Sequence, residues 1–336
     1  MTQDYETWNL GDLALQSGEV LPNARLAYKT YGELNASGDN VVVLPTFYTG
    51  SHMRNEGFFG SDRAIDPARH FVVSINLFGN GISSSPSNTA TPFDAARFPR
   101  ITFFDNIRAQ HRLLIEALGV ERIALVTGWS MAGCQSFQWA AQYPDLVDAI
   151  LPFCASARTS EHNIVFLEGV KAALQADAVY ADGNYASPPE KGLKAFARVY
   201  AGWAFSQTFY REQMYRLQGF DNIEELLQDW ERDHLDWDAN DLLCKLWTWQ
   251  QGDISANDIY RHDFRAALKA IRAKTIVIAC DNDLYFRPED NQIEIEHIAG
   301  AELRVYESPW GHCVASPGNS PEFQRYLDQA ISELLA

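Results

Sequence analysis

Residues 122–141 read RIALVTGWSMAGCQSFQWAA, and this stretch decides the fold of the chain. It opens with an apolar run over residues 123–126, which is typical of a buried strand. A turn of small residues around Ser130 follows, and a helical pattern with large apolar side chains begins near Phe137. The stretch therefore predicts a strand, a sharp turn with a serine at its apex, and a helix.

This turn has the pattern of the nucleophile elbow of the α/β-hydrolase fold. The sharp turn strains the backbone of the serine, so the residues two before and two after it must be small, as Gly128 and Ala132 are. It also aims the Met131 backbone N–H and the helix N-terminus at one point, which suits a developing oxyanion. The alternative is an ordinary serine between a strand and a helix, and the rest of the chain decides between them.

Length and composition exclude several classes of protein. A chain of 336 residues can hold one large α/β domain with an insertion, or two domains. Its hydrophobic residues (46%) and aromatic residues (12%) suffice for a core and an apolar pocket. A net charge of −17 argues against nucleic acid or an anionic membrane as partner, because both are polyanions.

The sequence also predicts a cytoplasmic protein without a cofactor. The first 19 residues are acidic and lack a basic, apolar signal region. No apolar run approaches the roughly 20 residues that cross a bilayer. Five scattered cysteines without a CxxC pair fit reduced thiols, and the eight histidines show no metal-ligand spacing.

Alternating strand and helix patterns predict the architecture. Strands are expected at residues 25–31, 41–44, 71–76, 149–153, 274–279 and 302–306. Helices are expected at residues 105–118, capped by Asp105, and at residues 321–335. Strands that alternate with helices indicate a mainly parallel sheet with helices on both faces, as in the α/β-hydrolase fold.

Two segments depart from this alternation. Residues 156–268 are helical in pattern and rich in aromatics, which predicts a lid domain inserted into a core of residues 1–155 and 269–336. Most of these aromatics are expected to form the core of the lid, with a subset in a pocket or a dimer surface. The Gly/Ser/Pro-rich loop at residues 78–100 is long enough that we expect it to line a site.

A serine nucleophile needs a histidine base, and the base needs a carboxylate to orient it. In this fold the chain order is serine, acid, histidine. His312 follows the last strand, after Gly311, and is the predicted base. The seven other histidines are expected to be structural or on the surface, although His52 lies in the loop on the oxyanion side and could face substrate.

The acid has two candidates, Asp281 and Asp283, which both follow the strand that ends near residue 280. The spacing to Pro288 favours Asp283, and Asp281 would then bond loop amides at the strand end. Residues 45–50 follow an early strand, where hydrolases of this fold place their second oxyanion donor. Three roles in the required order predict a Ser-His-Asp hydrolase.

The chain resembles the homoserine O-acetyltransferase family of α/β-hydrolases over nearly its whole length. The matching stretches are residues 25–28, 46–52, 98–99 at the end of the long loop, 128–133, 182–185, 237–240, 284–285 with Pro288, and 310–312. The resemblance implies a triad of Ser130, Asp283 and His312, and backbone N–H donors from Met131 and Tyr48. It also implies a homodimer formed by the helical lid.

The chain departs from this family where the acceptor alcohol is held. Cys313 stands where the family has an aspartate for homoserine, Asp236 replaces an arginine, and Leu242 replaces a tyrosine. A zwitterionic acceptor needs paired charges in a desolvated pocket, so their loss favours water as the acceptor. An esterase-like branch of the family hydrolyses short-chain acyl esters, and the chain resembles this branch more closely.

The sequence therefore predicts a serine carboxylesterase that acts on a small ester. Further candidate pocket residues are Phe47, Trp129, His52 and Cys313. One alternative is an acetyl-CoA-dependent homoserine O-acetyltransferase, for which Arg54, Arg63 and Arg158 are candidate ligands of the CoA phosphates. The other alternative is a binding protein without catalytic activity on the same fold.

Overall fold

The structure, a computed structural model, describes residues 3–336 and contains one eight-stranded sheet. The strands are β1 (Glu6–Ala14), β2 (Val20–Tyr31), β3 (Val41–Pro45), β4 (Phe71–Ile75), β5 (Leu125–Trp129), β6 (Ala149–Phe153), β7 (Lys274–Cys280) and β8 (Glu302–Tyr306). Their order across the sheet is β1-β2-β4-β3-β5-β6-β7-β8. The pairs β1–β2 and β2–β4 are antiparallel and every later pair is parallel, which confirms the predicted α/β architecture.

Eleven α-helices are described. They are α1 (His52–Asn55), α2 (Phe103–Arg112), α3 (Met131–Gln142), α4 (Glu161–Gln175), α5 (Glu190–Ala204), α6 (Gln207–Arg211), α7 (Ile223–Leu235), α8 (Ala239–Gln250), α9 (Phe264–Ala270), α10 (Pro288–Ile295) and α11 (Pro321–Leu335). None of these helices is long and apolar enough to span a membrane, as far as the described residues go.

Both faces of the sheet are covered by helices. On β3, Val41 and Val43 pack into one apolar cluster, while Val42 and Leu44 pack into the other on the opposite face. Successive side chains of a strand point to opposite faces, so a strand covered on both sides must be apolar at every position. This burial explains the unbroken apolar runs from which the strands were predicted.

The helix before β5 begins earlier than expected. Thr102, not Asp105, is the N-cap of α2: its side chain accepts a hydrogen bond from the Asp105 N–H. The Asp105 carboxylate accepts in return from the Thr102 N–H, which completes a capping box. The regular helix ends at Arg112 and continues as a π-helical turn (Leu113–Ala117) instead of running unbroken to residue 118.

The segment between β6 and β7 is helical, as its pattern predicts, and contains α4 to α9. Many of its aromatic side chains pack against one another; for example, the Phe166 ring lies 5.2 Å from that of Tyr200 and 4.9 Å from that of Trp203. Other aromatics of the segment face a cavity above the carboxyl ends of the strands.

The turn between β5 and α3 has the strained geometry expected of the elbow. Ser130 has φ 60° and ψ −128°, a conformation that is unfavourable for a residue with a side chain. A Cβ on Gly128 would lie 2.4 Å from the Ala132 Cβ, and one on Gly133 would lie 2.5 Å from the Ala155 Cβ. The small residues therefore let the strand and the helix approach each other closely.

The variant Gly128→Ala is expected to lower the free energy of unfolding by about 2 kcal/mol, because the added methyl group has no space beside Ala132. Ala132→Gly is the matched control, with an expected loss of about 1 kcal/mol from helix propensity alone. The double variant should be more stable than the sum of the single losses predicts, because Ala132→Gly removes the methyl group that causes the clash. Urea unfolding measures all three, and an unchanged midpoint for Gly128→Ala would contradict the account.

The long loop at residues 78–100, which is expected to line a site, does not line the cavity that contains Ser130. It packs against α8: Ser87 donates from its N–H and its hydroxyl to the Asp241 carboxylate, at 3.0 and 2.6 Å. Its later residues line a second cavity of about 280 Å³ between the loop, α4 and α8. The loop therefore packs against α8 outside the cavity of Ser130.

Candidate active site

A cavity of about 500 Å³ lies between the elbow and helices α5 and α7. Its floor includes the segments that follow β3, β5, β7 and β8, contributing Tyr48, Ser130, Tyr285 and His312. Ligand sites in open parallel sheets lie outside the carboxyl ends of the strands, which is where these segments meet. The cavity therefore joins Ser130 and His312, which are 182 positions apart in the chain.

Asp283 and His312 form a buried hydrogen-bonded pair. Asp283 Oδ2 lies 2.6 Å from His312 Nδ1, and Asp283 Oδ1 accepts from the N–H groups of Tyr285 and Phe286 at 3.0 and 3.1 Å. These bonds fix the carboxylate as an acceptor, so His312 donates from Nδ1 and its Nε2 carries the free lone pair. A histidine in this tautomer can accept a proton at Nε2.

The turn that carries His312 depends on Gly311. Gly311 has φ +61°, and a Cβ there would lie 2.8 Å from the backbone nitrogen of Ser206. Only glycine combines this backbone conformation with so close an approach to the segment between α5 and α6. The sequence signal of Gly311 before His312 therefore reflects a real steric requirement.

Asp281, the other acid considered, has a different role. Its carboxylate accepts from the Ser308 N–H and from the Asn282 side-chain amide, both at 2.9 Å. These bonds connect the end of β7 to the segment that follows β8. Of the two aspartates, the structure brings Asp283 to His312 and uses Asp281 to hold the neighbouring loop.

Two backbone N–H groups near Ser130 are free to bind a ligand. Within residues 3–336, neither the Met131 N–H nor the Tyr48 N–H donates a hydrogen bond to a protein acceptor. Met131 is the first residue of α3, whose N-terminus carries a partial positive charge. Tyr48 lies in the loop after β3 and lines the cavity. Such donors suit a negatively charged oxygen.

Three of the four candidate pocket residues line the cavity: Phe47, Trp129 and Cys313. The Trp129 ring stacks on His312 with centroids 5.0 Å apart and lies 4.8 Å from the Phe47 ring. Burial raises the pKa of the Cys313 thiol, so this side chain is neutral beside the histidine. Aromatic rings and a neutral thiol therefore lie beside His312, while the charged side chains of Arg54, Asp229 and Asp233 line other parts of the cavity.

The prediction for His52 as a pocket residue is wrong. His52 is buried outside the cavity, with Nε2 3.1 Å from the Asp4 carboxylate and Nδ1 3.1 Å from the Asn76 side-chain amide. These two partners satisfy both ring nitrogens and tie the N-terminal segment to the end of β4. His52 therefore has a structural position.

Sequence reasoning missed several cavity residues, among them Tyr285, Tyr200, Trp230 and His234. The Tyr285 ring lies 4.4 Å from that of His312, and its position two residues after Asp283 could have indicated this contact. His234 was expected to be structural or on the surface, yet it lines the cavity from α7. No local signal marks the cavity residues of α5 and α7, because their approach to the elbow depends on helix packing.

The three arginines considered as phosphate ligands are each paired with a carboxylate: Arg54 with Asp233, Arg63 with Asp328, and Arg158 with Asp253. Of the three, only Arg54 lines the cavity. Among the acceptor-site positions, Cys313 lines the cavity, whereas Asp236 is exposed at the end of α7. The structure thus places no unpaired arginine from this set at the cavity.

One group of potential metal ligands occurs in the described part of the chain. The ligand atoms of Cys154, Asp283 and His312 lie within 4.8 Å of one another, and all three residues are buried. The carboxylate and the imidazole already bond each other. The sequence spacing could not show this group, because Cys154 follows β6 and the other two residues follow later strands.

A strained serine at an elbow, a buried Asp–His pair and a mainly parallel sheet define an α/β-hydrolase. The family model described as "alpha/beta hydrolase fold" matches residues 39–317, and the chain belongs to this family.

Relatives of the chain include esterases and acetyltransferases. A probable esterase of Corynebacterium glutamicum is 35% identical over 92% of this chain and 89% of its own. The ethyl acetate hydrolase of Pseudomonas veronii is 34% identical over 99% of this chain and 95% of its own. A homoserine O-acetyltransferase of Trichormus variabilis is 32% identical over 89% of this chain and 86% of its own. The solved acetyl esterase MekB superposes with a TM-score of 0.96 at 33% identity, covering 99% of this chain and 97% of its own.

Proposed function

We propose that the chain is a serine carboxylesterase that hydrolyses short-chain acyl esters, acetyl esters above all, through an acyl-enzyme on Ser130. The observation that carries the proposal is the buried Asp283–His312 pair beside the same cavity as the strained Ser130. Esterases among the relatives at 34 and 35% identity support the same activity.

In the acylation step, His312 Nε2 takes the proton of the Ser130 hydroxyl while Oγ attacks the ester carbonyl carbon. The carbonyl oxygen becomes an oxyanion, and the N–H groups of Met131 and Tyr48 donate to it. The bond between the carbonyl carbon and the alcohol oxygen then breaks. His312 gives its proton to the departing alcohol, and the acyl group stays on Ser130.

In the deacylation step, water replaces the alcohol. His312 Nε2 accepts a proton from the water as its oxygen attacks the acyl carbon, and a second oxyanion forms at the same two N–H groups. The bond to Ser130 Oγ breaks, Oγ recovers a proton from His312, and the carboxylic acid leaves. Asp283 keeps His312 in the required tautomer and stabilises the imidazolium that forms in each step.

The residues of the cavity wall favour water, and not a zwitterionic alcohol, as the acceptor of the acyl group. Cys313 offers a neutral thiol beside His312, where a carboxylate would be needed to bind an ammonium group. Asp236 is exposed and contributes nothing to the cavity wall. The rings of Phe47, Trp129 and Tyr285 surround the reacting centre and leave room for a small acyl group.

A paired assay on one preparation tests this function. Hydrolysis of p-nitrophenyl acetate and release of acetate from ethyl acetate are measured beside consumption of acetyl-CoA with and without L-homoserine. We expect ester hydrolysis without homoserine-dependent release of CoA. Strong homoserine-dependent release would contradict the proposal and assign an acetyltransferase, while failure of both reactions would favour the binding-protein alternative.

The proposal extends to the assembly. Residues 156–268 act as a lid on a core of residues 1–155 and 269–336, and the lid forms a homodimer in the cytoplasm. Exposed apolar side chains on α4 and α5, Val165 at 67% and Val199 at 39%, support a contact there. The five cysteines are free, which fits a reducing compartment. Light scattering that gives the mass of a monomer would contradict the dimer.

A further inference from the structure

Lid helix α8 holds the side chain of Tyr48 from behind the cavity wall. The Tyr48 hydroxyl donates to the Leu242 carbonyl at 2.9 Å. The Tyr48 ring stacks on Tyr200, with centroids 5.9 Å apart and planes inclined by only 4°, and lies 5.8 Å from Trp249. The position of the Tyr48 backbone N–H therefore depends on the lid as well as on β3.

Lys245, one turn further along α8, also contacts Tyr48. Its side chain is completely buried, with Nζ 3.6 Å from the centroid of the Trp237 ring and 5.3 Å from that of Tyr48. Among residues 3–336, Nζ has no hydrogen-bond acceptor and no ion-pair partner. The carboxylate of Asp241, on the same helix, is bonded to Ser87 instead.

A buried ammonium group without an acceptor is costly for folding, because it loses its hydration without gaining a hydrogen bond. Attraction to the faces of two aromatic rings offsets part of this cost. An apolar side chain of similar length would fill the same space without the penalty. Stability alone therefore gives no reason for a lysine at this position.

We propose that Lys245 is a positioning residue for ester hydrolysis: from α8 it holds the Tyr48 loop in place, and its positive charge lies behind the oxyanion donor. The inference rests on the proposed function, in which the Tyr48 N–H binds the carbonyl oxygen. A positive charge in a region of low dielectric favours negative charge on that oxygen. Lys245 touches no substrate, and it acts through Tyr48.

The charge of Lys245 depends on pH. Burial is the main cause that lowers its pKa to about 7, and Asp241 and Cys244 on α8 counteract part of this effect. On the other elements that pack here, Arg54 lowers the pKa, Asp233 raises it, and His234 faces the lysine from α7. The ammonium form is therefore present below pH 7 and is lost as the pH rises through that value.

The variant Lys245→Met tests the inference, because methionine keeps the apolar stem and removes the charge. At about pH 6 we expect kcat for p-nitrophenyl acetate to fall about tenfold, with KM within about twofold of the wild-type value. A displaced donor weakens the stabilisation of the transition state and leaves the binding of the ester unchanged. At about pH 9 the two proteins should differ little, because wild-type Lys245 is neutral there. The unfolding temperature of the variant at about pH 6 should equal or exceed that of the wild type.

The control is Lys171→Met on α4, where the lysine is partly exposed and paired with Glu168 at 2.9 Å. Its kcat should match the wild type at both pH values. If Lys245→Met does not fold, Lys245→Gln provides the same comparison.

Two results would overturn the inference. One is an unchanged kcat of Lys245→Met at about pH 6. The other is an equal loss of kcat at about pH 6 and about pH 9, which would show that the packing of the side chain matters and its charge does not. If the wild type itself does not hydrolyse the ester, the proposed function fails instead.

Discussion

Ser130→Ala is expected to lower kcat for acetyl-ester hydrolysis by roughly a millionfold, which leaves only the catalysis that bound donors provide. The reason is that the covalent step needs the Ser130 hydroxyl, and the structure places this residue at the apex of the elbow, in the cavity. The ratio of the two kcat values is determined from p-nitrophenol release. The variant is followed over a long time, and the wild type is diluted until its signal matches that of the variant. If the variant retained more than roughly a thousandth of the wild-type rate, the assignment of Ser130 as the nucleophile would be contradicted.

A second substitution at the same position separates chemistry from folding. Ser130→Gly also removes the hydroxyl, but glycine adopts φ 60° without the strain that an alanine retains. Both variants should be inactive, and the glycine variant should unfold at a higher temperature than the alanine variant. Equal loss of activity in two variants of different stability would show that inactivity does not arise from unfolding.

Asp283→Asn is expected to lower kcat by about 10⁴-fold with little change in KM. The asparagine oxygen can still accept from the N–H groups of Tyr285 and Phe286, which leaves the amide NH₂ facing His312 Nδ1. The imidazole would then carry its proton on Nε2 and could not accept one from Ser130. Steady-state kinetics at about pH 8, with wild type and variant measured side by side, determine the loss.

Asp281→Asn is the matched control, because it changes the same group two residues away. Its carboxylate bonds Ser308 and Asn282 and makes no bond to His312, so kcat should stay within about threefold of the wild type. A large loss in Asp281→Asn together with a small loss in Asp283→Asn would show that Asp281 is the orienting carboxylate.

Those parts of the fold that rest on local chemistry could be predicted from the sequence. The runs at residues 41–44 and 149–153 had to be apolar at every position because both sheet faces are covered. The close approach of Gly128 to Ala132 requires small residues, so the elbow leaves a pattern in the sequence. Asp283 and His312 follow two late strands in the sequence, which likewise predicts that their loops lie side by side, and the two side chains bond each other.

The remaining parts depend on packing between distant segments. The sequence does not distinguish His52 from His234, yet His52 bonds Asp4 outside the cavity and His234 faces the cavity from α7. Lys245 would be expected on an exposed helix face, but the long loop behind α8 buries it: a Cβ on Gly79 would lie 3.4 Å from its Cγ. Such positions follow from tertiary structure alone.

Labelling with a short-chain alkyl fluorophosphonate tests the central claim most directly, because this reagent forms a covalent bond with an activated serine. Intact-mass analysis and peptide mapping, at increasing extents of reaction, are compared with residual hydrolysis of p-nitrophenyl acetate. We expect one label per chain, located on Ser130, with activity lost in proportion to labelling and no reaction in Ser130→Ala. A label on another residue, or full activity after complete labelling of Ser130, would contradict it.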